Sequence, residues 1–216
     1  MKFNIAIDCV ILAYEASAQK LMVLLIKRDK EPFAGQWVLP GGFVKTTEPF
    51  QQTALRVLEK ETGLKYSFLQ QLQAYSLTDP SEANRIASVA YYSLVKLDEA
   101  TPLNQSQQAH WVDLENVPDL AFDHGQKVDD AINRIKKDIQ HEPLVYHLLP
   151  EKFSLNNVQS FYECLFRKKL DNRNFRKQLK KLSYLEPLSE YEQDVSHRPA
   201  QLYRFNQQKY ETHQAL

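Results

Sequence analysis

The chain has only two cysteines, Cys9 and Cys164, far apart in the sequence, one in an apolar strand-like run and one in a helix-like run. That excludes a disulfide framework and a clustered zinc site as the basis of the fold, and it suits a reducing compartment. No stretch approaches the ~20 apolar residues that span a bilayer, so no membrane partner is expected. The opening residues, Met1-Lys2-Phe3-Asn4, run straight into a strand-like segment, without the basic, apolar and small-residue pattern of a secretory leader; the expected location is cytoplasmic. Net charge is absent too, since 27 basic residues balance 27 acidic ones, and a uniformly basic nucleic-acid coat is thereby excluded. Repeats and low-complexity tracts are missing. What is present is a composition 43% hydrophobic and 25% charged over 216 residues, enough for one ordinary domain and a small second one.

The balance of charge is not even along the chain. Between positions 166 and 181 stand Arg167, Lys168, Lys169, Arg173, Arg176, Lys177, Lys180 and Lys181, against Asp171 alone. A neutral chain with one strongly basic segment is a mosaic, and such a segment is where an acidic polymer would bind.

Hydrophobic patterning divides the chain in two. Residues 5–14 and 21–26 are apolar with a polar break between them, the pattern of a hairpin. Residues 37–44 read as a short strand interrupted by Pro40-Gly41-Gly42. Positions 47–62 suit a helix, with Thr47 as N-cap, Pro49 in the first turn and Gly63 as the stop. Residues 86–95 and 110–112 read as strands, and 125–139 as a second helix. Residues 143–150 look like a connector, dividing a first domain, 1–142, from a second, 143–216. Beyond it Ser154 opens a helix, and Asp171 caps another whose apolar positions Phe175, Leu179 and Leu182 recur every four and three residues. Two strand-like runs follow, 184–188 and 201–205, with a polar segment between. Helix, turn, helix and two-stranded ribbon is the order of a winged helix-turn-helix.

In the first domain, Gly42, Glu48, Arg56, Leu58, Glu61, Gly63 and Leu64 fall at fixed spacing after Leu39-Pro40-Gly41-Gly42. This segment resembles the Nudix box. The resemblance implies an α/β/α sandwich in which glutamates on one helix face hold divalent metal ions that cleave a diphosphate linkage. Two positions depart from it: Val57 and Lys60 stand where the box has glutamates. Positions 57, 60 and 61 share one helix face, and here it carries valine, lysine and the relic Glu61, with Glu48 a second relic. One carboxylate is a poor site for a hard dication that takes about six oxygens. No catalytic residue, metal or required cofactor is therefore expected, Mg2+ entering only if hydrolysis survives with carboxylates recruited from Glu59, Glu82 or Asp123. Lys60 is free to pair with Glu61 or with a ligand phosphate. The expected ligand-binding set is Arg28, Trp37, Gly41, Gly42, Glu48, Arg56, Lys60, Glu61 and Arg85.

In the second domain, residues 149–155, 171–177 and 198–205 resemble the winged helix of Nudix-related transcriptional regulators of the NrtR type. Residues 121–124 also look like that family's. With the box, the resemblance runs from about position 3 to position 205. It implies an α+β protein, a Nudix sandwich followed by a small winged helix-turn-helix. It also implies a homodimer, a Nudix domain that usually does not hydrolyse, double-stranded operator DNA as partner, and an effector that is ADP-ribose or a sugar such as arabinose. On the residues themselves, Arg173, Arg176, Lys177 and Lys180 are expected opposite the apolar stripe, where a helix enters a major groove, with Asn174 a candidate base reader. Lys168, Lys169 and Lys181 suit phosphates, and His197 and Arg198 suit the tip of a wing. A Nudix diphosphate hydrolase and an RNA- or protein-binding adaptor are the competing readings.

Overall fold

The computed structural model describes residues 3–63, 68–77, 85–97, 109–193 and 198–214. Its first strand, β1 (Phe3–Glu15), pairs with the whole of β6 (Arg85–Val95) in parallel, from Phe3 opposite Arg85 to Ala13 opposite Val95. On its other edge β1 meets two antiparallel partners in succession, β4 (Gly41–Phe43) and β2 (Lys20–Lys27). The sheet is completed by β3 (Trp37–Val38) and β7 (Ala109–Asp113) on β2, and by β5 (Phe68–Leu77) on β6.

Both faces of this sheet are covered, which is why β1 reads as a nearly unbroken apolar run. Ile7, Cys9, Ile11 and Ala13 join the core under α1 (Phe50–Thr62). Val10, Leu12 and Tyr14 point to the other face, under α2 (His124–Asp138). Helix α1 begins at Phe50, three residues after the expected cap. Its N-cap is Pro49, with no side-chain cap; Thr47 lies outside the helix. The stop is as expected: Gly63 adopts a left-handed φ of 75° and its amide closes onto the Glu59 carbonyl at 2.8 Å. The expected strand at 37–44 is two strands, β3 and β4, on different neighbours.

The second unit contains β8 (Lys152–Ser154), α3 (Leu155–Phe166), α4 (Asn172–Leu179), β9 (Leu185–Tyr191), β10 (Gln201–Phe205) and α5 (Gln207–Gln214). The three strands form a sheet in the order β8-β10-β9. Ser154 caps α3 in a reciprocal box with Asn157, and Asp171 caps α4 by accepting the Asn174 amide at 2.8 Å.

The expected connector, residues 143–150, is packed between the two units. Residues Leu144–His147 form a 3-10 turn, and Leu144, Val145, Leu148 and Leu149 are all buried. They belong to one continuous core that takes Val10, Tyr14, Leu21 and Val23 from the large sheet and Val158, Phe161, Leu179 and Tyr203 from the winged helix. The rings of Tyr14 and Phe161 meet edge to face at 5.5 Å across the junction.

Candidate ligand and DNA sites

The box helix carries its charges already paired. Glu48 accepts from Arg56 through both oxygens, at 2.8 and 2.7 Å, and from the Thr53 hydroxyl at 2.8 Å. The Arg56 guanidinium, aided by Thr53 and the Lys45 amide, holds the Glu48 carboxyl down to about 2 against the opposing effect of desolvation. Arg56 also donates to the Phe43 carbonyl, tying the helix to β4. One turn on, Lys60 Nζ sits 2.8 Å from Glu61 Oε1. Glu61 is buried, and its second oxygen, Oε2, has no hydrogen-bond partner. Val57 is inside the core beneath Gly42, whose added Cβ would stand 3.5 Å from it.

These residues do not fit a divalent metal ion. The face offers one carboxylate, and an ammonium lies against it; among the described residues no three His, Cys, Asp or Glu side chains converge on a point. Glu82 and Leu64 lie outside the described residues. Asp123 is on the opposite face of the sheet, in contact with α2.

That opposite face holds a group the sequence did not announce. Lys127 of α2 is fully buried. Its Nζ lies 2.7 Å from Asp8 Oδ2, 2.6 Å from Asp123 Oδ1 and 3.2 Å from Ser88 Oγ, with the Tyr75 ring 5.0 Å away. Ser88 donates to Asp8 in turn. Buried charge is tolerated because Lys127 donates to Asp8 and Ser88 and the Asp123 carboxylate lies against it. His124 accepts the Leu39 amide on Nδ1 at 2.9 Å, which leaves its proton on Nε2, 3.7 Å from Asp8 Oδ1. Burial pushes its pKa down, against the pull of Asp8. Gly41 lies so close to β1 that a Cβ there would meet Asp8 Oδ1 and the Ile7 carbonyl, each at 2.8 Å. Its lack of a side chain lets β4 pass Asp8, a reason distinct from the phosphate cradle expected of Gly41 and Gly42. The one sequence signal was Asp8 itself, an acid within an apolar strand.

The expected ligand set is therefore divided. Glu48, Arg56, Lys60 and Glu61 lie on or beside α1. Arg28 and Trp37 lie with the α2 side. Arg28 donates to the Pro32 and Glu31 carbonyls of its own loop and stacks over Phe122 at 5.3 Å, and Phe122 packs on Phe33 and His124. Trp37 is half-buried beside His110, under Lys27 at 4.7 Å. Arg85 starts β6, and its side chain lies outside the described residues.

In the winged helix, Lys168, Lys169, Arg173, Asn174, Lys177, Lys180 and Lys181 are exposed. Lys169 pairs with Glu163 at 2.7 Å while staying largely in solvent, a contact too exposed to hold it from a phosphate. Arg176 departs from the expected outward projection. It is half-buried, donates to Asn156 of α3, and its Nε is enclosed without a partner. The cause is helical geometry: Arg176 follows Phe175 by only 100° around α4, on the flank of the buried stripe. Arg198 is exposed beside β10; His197 lies outside the described residues.

Comparison with known families matches residues 2–132 to the NUDIX domain. The chain belongs to the NUDIX family. Residues 145–205 of this NUDIX protein match the NrtR DNA-binding winged helix domain, so the expected fold class and order of units hold. It is 29% identical over 197 residues to the ADPR responsive transcriptional repressor NtrR of Acinetobacter baylyi, covering 89% of this chain and 78% of that protein. The crystal structure of Shewanella oneidensis NrtR complexed with a 27mer DNA superposes with a TM-score of 0.83 at 27% identity, over 96% of this chain and 95% of that one. The NUDIX domain of the same Shewanella protein complexed with ADP ribose matches at 30% identity and a TM-score of 0.54, over 62% of this chain and 90% of that one. Among the described residues no helix is long and apolar enough to cross a membrane.

Proposed function

We propose that this NUDIX protein is an ADP-ribose-responsive transcriptional repressor that binds operator DNA through its winged helix and does not hydrolyse its ligand. The observation that carries the reading is the agreement of nearly the whole chain, both units and their mutual placement, with the DNA-bound Shewanella structure. The exposed cationic side of α4 supplies what a DNA-reading helix needs. The pairing of Lys60 with Glu61 and the burial of Val57 argue against metal-dependent cleavage.

ADP-ribose is preferred over a pentose because a relative similar along most of the chain is ADPR responsive and the Shewanella NUDIX domain is known with ADP ribose. The ligand acts on DNA only if it binds two states of the protein unequally. The continuous core between the units makes a change at the sheet a change at α3. Two copies joined through their NUDIX domains match a palindromic operator, and the working compartment is the one that holds the DNA.

The test is selection of bound fragments from genomic DNA, followed by anisotropy titration of the recovered duplex with ADP-ribose, NAD and arabinose. ADP-ribose is expected to weaken operator binding about tenfold or more, a coupling of ~1.4 kcal/mol, and light scattering to give a dimer. Release by arabinose alone, or ADP-ribose binding with no change in DNA affinity, contradicts the effector assignment.

A further inference from the structure

Arg176 is the one cation of the basic segment that the fold turns inward. The directions of the side chains around α4 explain what that does. Phe175 and Leu179 define the buried side, where Phe175 meets Tyr162 at 5.4 Å and Leu179 is 7% exposed. At 100° per residue, Arg173 and Lys177 point close to the opposite direction, and Arg176 lies between the two. From there its guanidinium reaches Asn156 in the first turn of α3. The chain separation is 20 residues, so the contact is tertiary and crosses the helix-turn-helix. Apolar stripes allow two helices to roll and slide by small angles; a directional hydrogen bond at the flank removes that freedom. Its Nε is buried without a partner and one terminal nitrogen is held by Asn156, so the half-buried guanidinium is turned towards α3.

We propose that Arg176 is a positioning residue for DNA binding. Through Asn156 it fixes α4 against α3 and so sets the angle at which Arg173 and Lys177 meet the duplex, without touching DNA itself. This rests on the DNA-binding reading given above. It also separates two kinds of arginine within one helix: Arg173 reads or grips, and Arg176 aligns.

The experiment compares operator affinity of the full chain with that of Arg176→Ala, Arg176→Lys, Asn156→Ala and the Arg176→Ala/Asn156→Ala double variant. Thermal melting and ADP-ribose binding establish that each variant is folded. Each single substitution is expected to weaken operator binding by about tenfold, the effect of one directional hydrogen bond, and the double variant by no more than either single one. Arg176→Lys is expected to fall as far as Arg176→Ala, because an ammonium keeps the charge and loses the planar fork. Two results overturn the assignment: restoration of affinity by Arg176→Lys, or additive losses in the double variant, since a direct phosphate contact is indifferent to Asn156. If the unaltered protein binds no duplex DNA, the functional reading itself fails; if it binds and the cycle is additive, only the role of Arg176 does.

Discussion

Replacing Phe161 by alanine tests whether the NUDIX sheet and the winged helix stand or fall together. Phe161 lies on α3, is fully buried, and packs edge to face on Tyr14 of β1 at 5.5 Å and on Tyr162 at 5.9 Å. A buried Phe→Ala change costs about 3–5 kcal/mol, including the cavity it leaves. A domain of ordinary stability holds about 5–15 kcal/mol, so a large fraction is lost. For a chain of this size each kcal/mol moves the melting temperature by roughly 2–4 °C, which gives a fall of roughly 6–20 °C. The assay is intrinsic fluorescence on heating, because both tryptophans, Trp37 and Trp111, lie in the large sheet. A substitution in the winged helix is thus read by reporters in the other unit. If the tryptophan transition stays in place while circular dichroism detects an earlier, separate melting of the helices, the core is not shared and the coupling inferred from it is wrong.

ADP-ribose turnover with magnesium or manganese is expected to stay below about 1 per second, the lower range for enzymes; AMP release at or above that rate refutes the account of Val57 and Lys60. Glu48→Gln is expected to flatten acid denaturation. The folded carboxyl lies at about 2 against an ordinary 4.5, so its stabilisation is full above about pH 4.5 and disappears as pH falls towards 2. Glu163 and Glu186 are held as low, so the unaltered acid limb shrinks without vanishing, and an unchanged pH–stability curve in the variant contradicts the ion pair. In the winged helix, Arg173→Ala should cost about 1–3 kcal/mol at one operator position, whereas Lys169→Ala should weaken all sequences alike and lower the salt slope by about one. Identical behaviour of the two variants on specific and scrambled DNA would rule out the division between reading and phosphate gripping.

Much of this was legible because local signals agreed with the tertiary result. The β1–β2 hairpin, the box helix with its Gly63 stop, and the Ser154 and Asp171 caps each rest on short-range chemistry that packing reinforces. What the sequence does not announce depends on distant partners. Strand β5 reads FLQQLQAYSL, too rich in glutamine for a strand on its own, and is ordered by pairing with β6. Helix α5 gives no sequence signal, because its polar run has no apolar stripe beyond Tyr210, which packs on Tyr184 and Phe205. Thr47 looked like a cap by type, yet the turn is closed by the Glu48 amide on the Lys45 carbonyl and by Glu48 with Arg56. In the site, the pairings of Lys60 with Glu61 followed from adjacency. Lys127 did not: within His124–Asp138 it resembles any solvated lysine of a charged helix, and only the fold brings Asp8 to it. Arg176 and Arg173 stand three positions and about 60° apart around α4, and that step puts one on the flank of the buried stripe and leaves the other in solvent.

The separation of Lys127 from Asp8 also imposes an order on synthesis. The acid is made 119 residues before the base that neutralises it, and at about 5–20 residues per second a ribosome takes roughly 6–24 s to cover that interval. Throughout it β1 carries an uncompensated carboxylate amid its apolar side chains, a reason for the strand to stay in water instead of settling into a premature pairing. The strand can be buried at low cost only once α2 has emerged. A single buried lysine thus makes closing the sheet a late event in the life of the nascent chain.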